Sequence, residues 1–181
     1  MHQDVLGASS APEQTTRTLW LYGLAGSGKS TLSTTIANIF NELGQLGAFL
    51  FFDRDVTERS DPTMFVMTLA YQLASSDPKI GAHVRAVVEK NSNILLSSLA
   101  LQFQRLILDP LSSVCDPIAQ IIIVIDALDE CGTAQGRSSL LDILTNGFSK
   151  LPSYVRTIVL SRVEIDDGLQ CFAIPTPYSH P

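Results

Sequence analysis

One octapeptide constrains this chain more than any other stretch: Gly23-Leu24-Ala25-Gly26-Ser27-Gly28-Lys29-Ser30. It has the form G-x-x-x-x-G-K-[ST]. Thr18-Leu19-Trp20-Leu21-Tyr22 before it is short, apolar and β-prone, placing the first strand at about 17–22. After it, Leu32, Ile36, Ile39, Phe40 and Leu43 recur at helical spacing, with Gly44 and Gly47 at the stop. Strand, glycine loop and helix in that order let a loop cradle phosphate. Gly23, Gly26 and Gly28 permit backbone approaches that a Cβ would block. Successive N–H groups then form an anion nest at the helix N-terminus. Gly23, Gly26, Ser27, Gly28, Lys29, Ser30 and Thr31 are therefore the expected phosphate-binding set. Lys29 would reach the β- and γ-phosphates of a nucleotide, and the Ser30 hydroxyl would ligate Mg²⁺.

A second signal lies a hundred residues on. Ile121-Ile122-Ile123-Val124-Ile125 is the strongest strand in the sequence, and Asp126-Ala127-Leu128-Asp129-Glu130 follows it. An apolar run closed by an acid at the strand's carboxyl tip is the Walker B pattern. Asp126 would hold Mg²⁺ through water, opposite Ser30. Asp129 or Glu130 would orient and deprotonate an attacking water, and the sequence leaves that choice open. A further strand, Val155 to Leu160, ends in Ser161-Arg162, where an arginine would sense a γ-phosphate and stabilise charge in transfer.

Between these anchors the chain reads as alternating strands and helices. Ala48-Phe49-Leu50-Phe51-Phe52 predicts a strand buried on both faces. Asp53-Arg54-Asp55 ends it in charge, either a solvated cluster or an approach of Arg54 to phosphate. Asp61-Pro62 predicts a capped helix with Met64, Phe65, Met67, Leu69, Tyr71 and Leu73 on a broad apolar face, the methionines as core filler. Asp77-Pro78 starts another, carrying Ile80, Val84, Val87, Val88 and an exposed His83. Leu99, Phe103 and Leu106 mark a helix closed by Asp109-Pro110, with loop from Ser112 to Pro117. Ser139-Leu140-Leu141-Asp142 resembles a capping box, opening a helix to about Ser149.

With 181 residues, 45% hydrophobic and 17% charged, the chain is sized for one domain around a buried parallel sheet. A net charge of −6 argues against nucleic-acid or membrane binding through a basic surface. Cys115, Cys131 and Cys171 are scattered and odd in number, with no Cys/His cluster. This points to a reducing, cytoplasmic setting without structural zinc. Residues 1–16 show no basic-then-apolar leader and read as a loose arm.

The chain resembles the NACHT-type P-loop ATPase domain of STAND, NLR-like signalling proteins, in the fungal form called the NACHT or nephrocystin-like N-terminal domain. The matching segments are residues 23–30, Phe51-Phe52-Asp53-Arg54, Tyr71-Gln72-Leu73-Ala74, Ile125-Asp126-Ala127-Leu128-Asp129-Glu130-Cys131 and Ser161-Arg162-Val163-Glu164, within about 17–167. The resemblance implies a three-layer α/β core with a mainly parallel sheet flanked by helices, in the order 5-1-4-3-2, which reduces here to 1-4-3-2 with the fifth strand expected to be missing. It implies ATP (or dATP or ADP) and Mg²⁺ as ligands. It also implies a nucleotide-set signalling switch that self-associates or meets partner NACHT or repeat proteins, with slow or no hydrolysis. Asp129, Glu130 and Arg162 are then the catalytic candidates. Two departures stand out. Val163 replaces the family's proline after Ser-Arg. Residues 168–181 read as an irregular, proline-bearing tail, where the family continues into a fifth strand and a lid. The alternatives are a non-catalytic nucleotide-binding fragment or decoy, a GTPase (though no Asn-Lys-x-Asp string is present), and a small-molecule kinase.

Overall fold

A computed structural model describes residues 17–114, 120–132 and 134–162. The expected arm (1–16), residues 115–117 of the expected 112–117 loop, Val163-Glu164 and the 168–181 tail lie outside the described residues; Ser112 and Ser113 of that loop are helical. Four strands, β1 (Thr18–Tyr22), β2 (Leu46–Phe51), β3 (Ile121–Asp126) and β4 (Val155–Ser161), form one all-parallel sheet in the order β1-β4-β3-β2. The register sets Tyr22 opposite Ser161 and Phe51 opposite Asp126. Every strand therefore delivers its following loop to the same carboxyl edge, where open α/β sheets bind ligands.

The alternation along β3 explains its place. Ile123 and Ile125 face one layer, Ile122 and Val124 the other, and all four are buried. A strand apolar on both sides is stable only in the middle of a covered sheet. The main core packs α3 (Pro62–Ser76), α4 (Pro78–Lys90) and the later helical stretches against one sheet face through Phe65, Leu69, Leu73, Ile80, Phe103 and Leu140. Asp61 and Asp77 accept from the first N–H groups of α3 and α4, each with proline at the start, as the sequence predicts. α2 (Thr57–Ser60) is a single short turn before them.

α1 (Lys29–Glu42) covers the other face, but not with the predicted stripe. Leu32, Ile39 and Leu43 are 46%, 50% and 61% exposed; Ser33 and Ala37 are buried, and Ile36 and Phe40 partly so. Small inward side chains let this helix lie close on β2, β3 and β4. The helix closes in a Schellman arrangement, Gln45 N–H donating to Phe40 O at 2.8 Å and Gly44 N–H to Asn41 O at 3.0 Å.

Four further expectations change. β2 is an edge strand, so Phe51 is 39% exposed rather than buried on both sides. The face predicted for α3 is too wide: Met64 and Tyr71 are exposed, so Met64 is not core filler. The helix expected to stop at Pro110 runs on, as α5 (Leu99–Phe103), a π turn (Gln104–Leu108) and α6 (Asp109–Ser113). A widened turn ahead of a proline lets the helix absorb the missing donor. Finally, α7 (Ala134–Asp142) starts before Ser139, which is therefore interior and no cap; a π turn (Ile143–Gly147) and a 3₁₀ turn (Phe148–Lys150) follow. Burial of Leu140, Ile143, Leu144 and Phe148 sets that stretch, and tertiary packing outweighs a local capping signal.

Candidate functional site

The glycine loop leaves β1 with Gly23 N–H donating to Ser161 O at 3.3 Å, which ties it to β4. Gly23 is close-packed, since a Cβ there would lie 2.8 Å from Ser27 Oγ. Gly28 caps α1 with φ +84°, a left-handed conformation that disfavours any side chain. It supplies no side-chain cap, and the first turn of α1 holds no acid. The orphan N–H groups and positive dipole end of a 14-residue helix are thus left without an internal anion. Lys29 folds back over the loop, its Nζ donating at 2.7 Å to both Gly23 O and Leu24 O.

Facing the loop is the end of β3. The Asp126 side chain is buried, and both its oxygens are held. Oδ2 accepts from Ser33 Oγ at 2.7 Å and Oδ1 from Ala127 N–H at 2.8 Å. Ala127 sits at φ +53°, a left-handed conformation that costs an alanine about 1–2 kcal/mol. That turn closes a 3₁₀ segment (Leu128–Glu130), with Glu130 N–H donating to Ala127 O at 2.8 Å, and swings the two following acids toward β4.

There Arg162 meets both. Its main-chain N–H donates to Asp129 Oδ1 at 3.1 Å, and its Nε lies 3.0 Å from Asp129 Oδ2, an ion pair without the alignment of a hydrogen bond. Its Nη2 donates to Glu130 Oε1 at 3.1 Å. Glu130 Oε2 is held only loosely, by Arg54 N–H at 3.4 Å. The Arg54 side chain itself is exposed and off the cleft wall, in keeping with the solvated alternative.

A cleft of about 290 Å³ unites these groups. Its walls are Gly26, Ser27, Gly28, Lys29, Ser30 and Thr31 from the loop, and Asp126, Asp129, Glu130 and Arg162 from the strand ends. Gly23 alone of the predicted set does not line it; it supports the loop from behind. Ala25 and Ala127 line it without having been predicted. A larger cavity of about 470 Å³ at the outer edge of β2, between Phe51, Met64 and Gln72, shares no lining residue with the cleft.

Two residue families in this cleft suit two ligand types. Lys29 and the helix start can take an oxyanion. Ser30 and Asp126 are hard oxygen donors of the kind a divalent cation prefers. Among the described residues no group of three or more His, Cys, Asp or Glu could hold a metal unaided. One carboxylate and one hydroxyl fit a cation that keeps waters and shares an anionic ligand, which is how Mg²⁺ binds beside phosphates. Two cations face three carboxylates here, so a metal ion would strengthen the hold on a multiply charged anion.

The match to known families adds to this geometry. A family model described as Nephrocystin 3, N-terminal, covers residues 3–162. The chain belongs to that family. No curated protein matches the chain. The nephrocystin 3 N-terminal match takes in β1, the glycine loop, the Asp126–Glu130 turn and Arg162, so every wall of the cleft falls inside it. Ser33, which grips Asp126, is a polar group of this nephrocystin-type domain to which the sequence alone assigns no role. Its signal was its place one helical turn after Ser30.

Proposed function

We propose that this domain is a NACHT-type P-loop nucleoside-triphosphatase core. It binds ATP with Mg²⁺ in the cytoplasm and acts as a nucleotide-dependent signalling switch. The observation that carries the reading is the convergence, in one cleft, of an uncapped glycine-loop helix start, Lys29, Asp126 and Arg162. On entry of a triphosphate, Lys29 would exchange its two loop carbonyls for phosphate oxygens, a stronger charge-assisted pairing. Ser30 and Asp126 would take the Mg²⁺, which neutralises phosphate charge when bound.

Arg162 would turn from Glu130 toward the terminal phosphate. That frees Glu130 to orient water, while Asp129, bound to the Arg162 main chain, keeps the sensor anchored. The non-catalytic reading has one observation in its favour: both acids that could handle water are spent on Arg162 in this structure. Binding of a fluorescent ATP analogue, with and without Mg²⁺, decides the first question. Wild type is expected to bind with Mg²⁺ sensitivity. Lys29→Ala is expected to lose about 2–3 kcal/mol or more, the scale of a charge-assisted contact. A folded wild type that does not bind would overturn the reading.

A further inference from the structure

We propose that Ser33 is a positioning residue for the metal side of the cleft: its hydroxyl fixes the Asp126 carboxylate and so sets the Mg²⁺ requirement of nucleotide binding. The proposal rests on the nucleotide reading above and names a residue that reading does not use.

Ser33 lies on the inward face of α1, where burial ordinarily selects an apolar side chain, and it is fully buried. A buried hydroxyl is costly unless it is bonded. Its neighbours Thr34 and Thr35 spend their hydroxyls on helix carbonyls, Ser30 O and Thr31 O, each at 2.8 Å. Ser33 has the same option, with Ser30 O at 3.0 Å, but Asp126 Oδ2 is closer at 2.7 Å. A hydroxyl has one proton, and a carboxylate is the stronger acceptor. The proton therefore goes to Asp126, across 93 residues of sequence.

The consequence is directional. With Oδ1 held by Ala127 N–H and Oδ2 by Ser33, the carboxylate has no free rotation about its last bond. Its remaining lone pairs are presented in one orientation, on the wall shared with Ser30. Ser33 lies on the same first turn of α1 as Ser30, so its one hydrogen bond couples the turn that carries the metal-side serine to the metal-side acid. Outer partners of this kind orient ligands, and their removal typically costs about 10–100-fold in metal affinity.

The test uses the whole chain, a fluorescent ATP analogue, and titrations run in EDTA and over a Mg²⁺ series. Ser33→Ala is expected to bind the analogue in EDTA as wild type does, yet to need about 10–100-fold more Mg²⁺ for half-maximal response. In an Asp126→Asn background, Ser33→Ala is expected to add no further shift, because the two act through one carboxylate. An unchanged Mg²⁺ requirement overturns the proposal and leaves the nucleotide reading standing. So does an equal loss in EDTA and in Mg²⁺, the mark of a merely structural serine, or full additivity with Asp126→Asn. If Ser33→Ala does not fold, Ser33→Cys, with a weaker donor at the same place, carries the same comparison. A wild type that binds no nucleotide removes both readings together.

Discussion

Asp129 and Glu130 are adjacent in sequence and both touch Arg162, yet their bonding differs in kind. Asp129 holds the arginine's main chain as well as its side chain; Glu130 holds only one side-chain nitrogen, with a weak second contact at 3.4 Å. A group bound at one point can leave it, so Glu130 is the water-handling candidate and Asp129 the anchor. The expected outcome is that Glu130→Gln lowers ATP turnover about 10²–10⁴-fold while keeping nucleotide affinity. Asp129→Asn is expected to loosen Arg162 and narrow the preference for ATP over ADP. Single-turnover hydrolysis and ATP/ADP competition measure the two effects, and the opposite pattern would exchange the roles. At this scale the place of Lys29, Ser30 and Asp126 on one cleft wall was legible in the sequence, because a glycine loop and an acid that directly follow strands stand at the strands' carboxyl tips. Ser33 was not, since a serine inside a helix looks the same whether it faces water, a carbonyl or a carboxylate. The strained Ala127 was equally hidden: nothing in an alanine signals a positive φ.

At the scale of elements, the exposed edge of β2 carries its own protection. Gln72 on α3 lays its amide along the strand, accepting from Phe49 N–H at 2.7 Å and donating to Phe49 O at 3.1 Å. It mimics a neighbouring strand and occupies groups that would otherwise template association. Gln72→Ala is expected to lower stability by about 1–3 kcal/mol, the penalty for stranded backbone groups, and to raise aggregation. Urea unfolding with light scattering checks both. β3 and the capped starts of α3 and α4 were legible because their signals are local: a β-branched run, and Asp-Pro at a helix start. The face of α1, the start of α7 and the passage through Pro110 were not, because packing rather than propensity decides them. Ser33 and Ala37 turn inward for closeness, Leu140 and Phe148 hold α7 and its extension, and a π turn accommodates the proline.

For the whole molecule, stability against pH is a property to which one buried group contributes. Cys131 is fully buried behind the Asp129–Glu130 turn, and burial pushes its thiol from 9.0 up to about 12; Arg137 pulls it down, and Asp61 raises it further. The unfolded chain thus loses this proton near pH 9 while the folded one keeps it. Above that point the unfolded state binds fewer protons, so the contribution is intact below about pH 9 and lost progressively toward pH 12. Chemical denaturation from pH 8 to 11 is expected to show this decline, and Cys131→Ala is expected to show less of it. A wild type and variant with parallel curves would remove the cysteine as the cause. No helix among the described residues is long and apolar enough to cross a membrane. What the sequence determined by itself was the parallel α/β class and which residues stand at strand tips, because spacing and residue type are local properties; the strand order came only through the resemblance. Only the tertiary structure decided partnership. Lys29 rests on its own loop, Ser33 grips Asp126 across 93 residues, and Arg162 is shared by two acids. The β3–β4 pairing brings Arg162 within 3.1 Å of both acids, and the packing of α1 on the sheet brings Ser33 to Asp126; separation along the chain carries no trace of either.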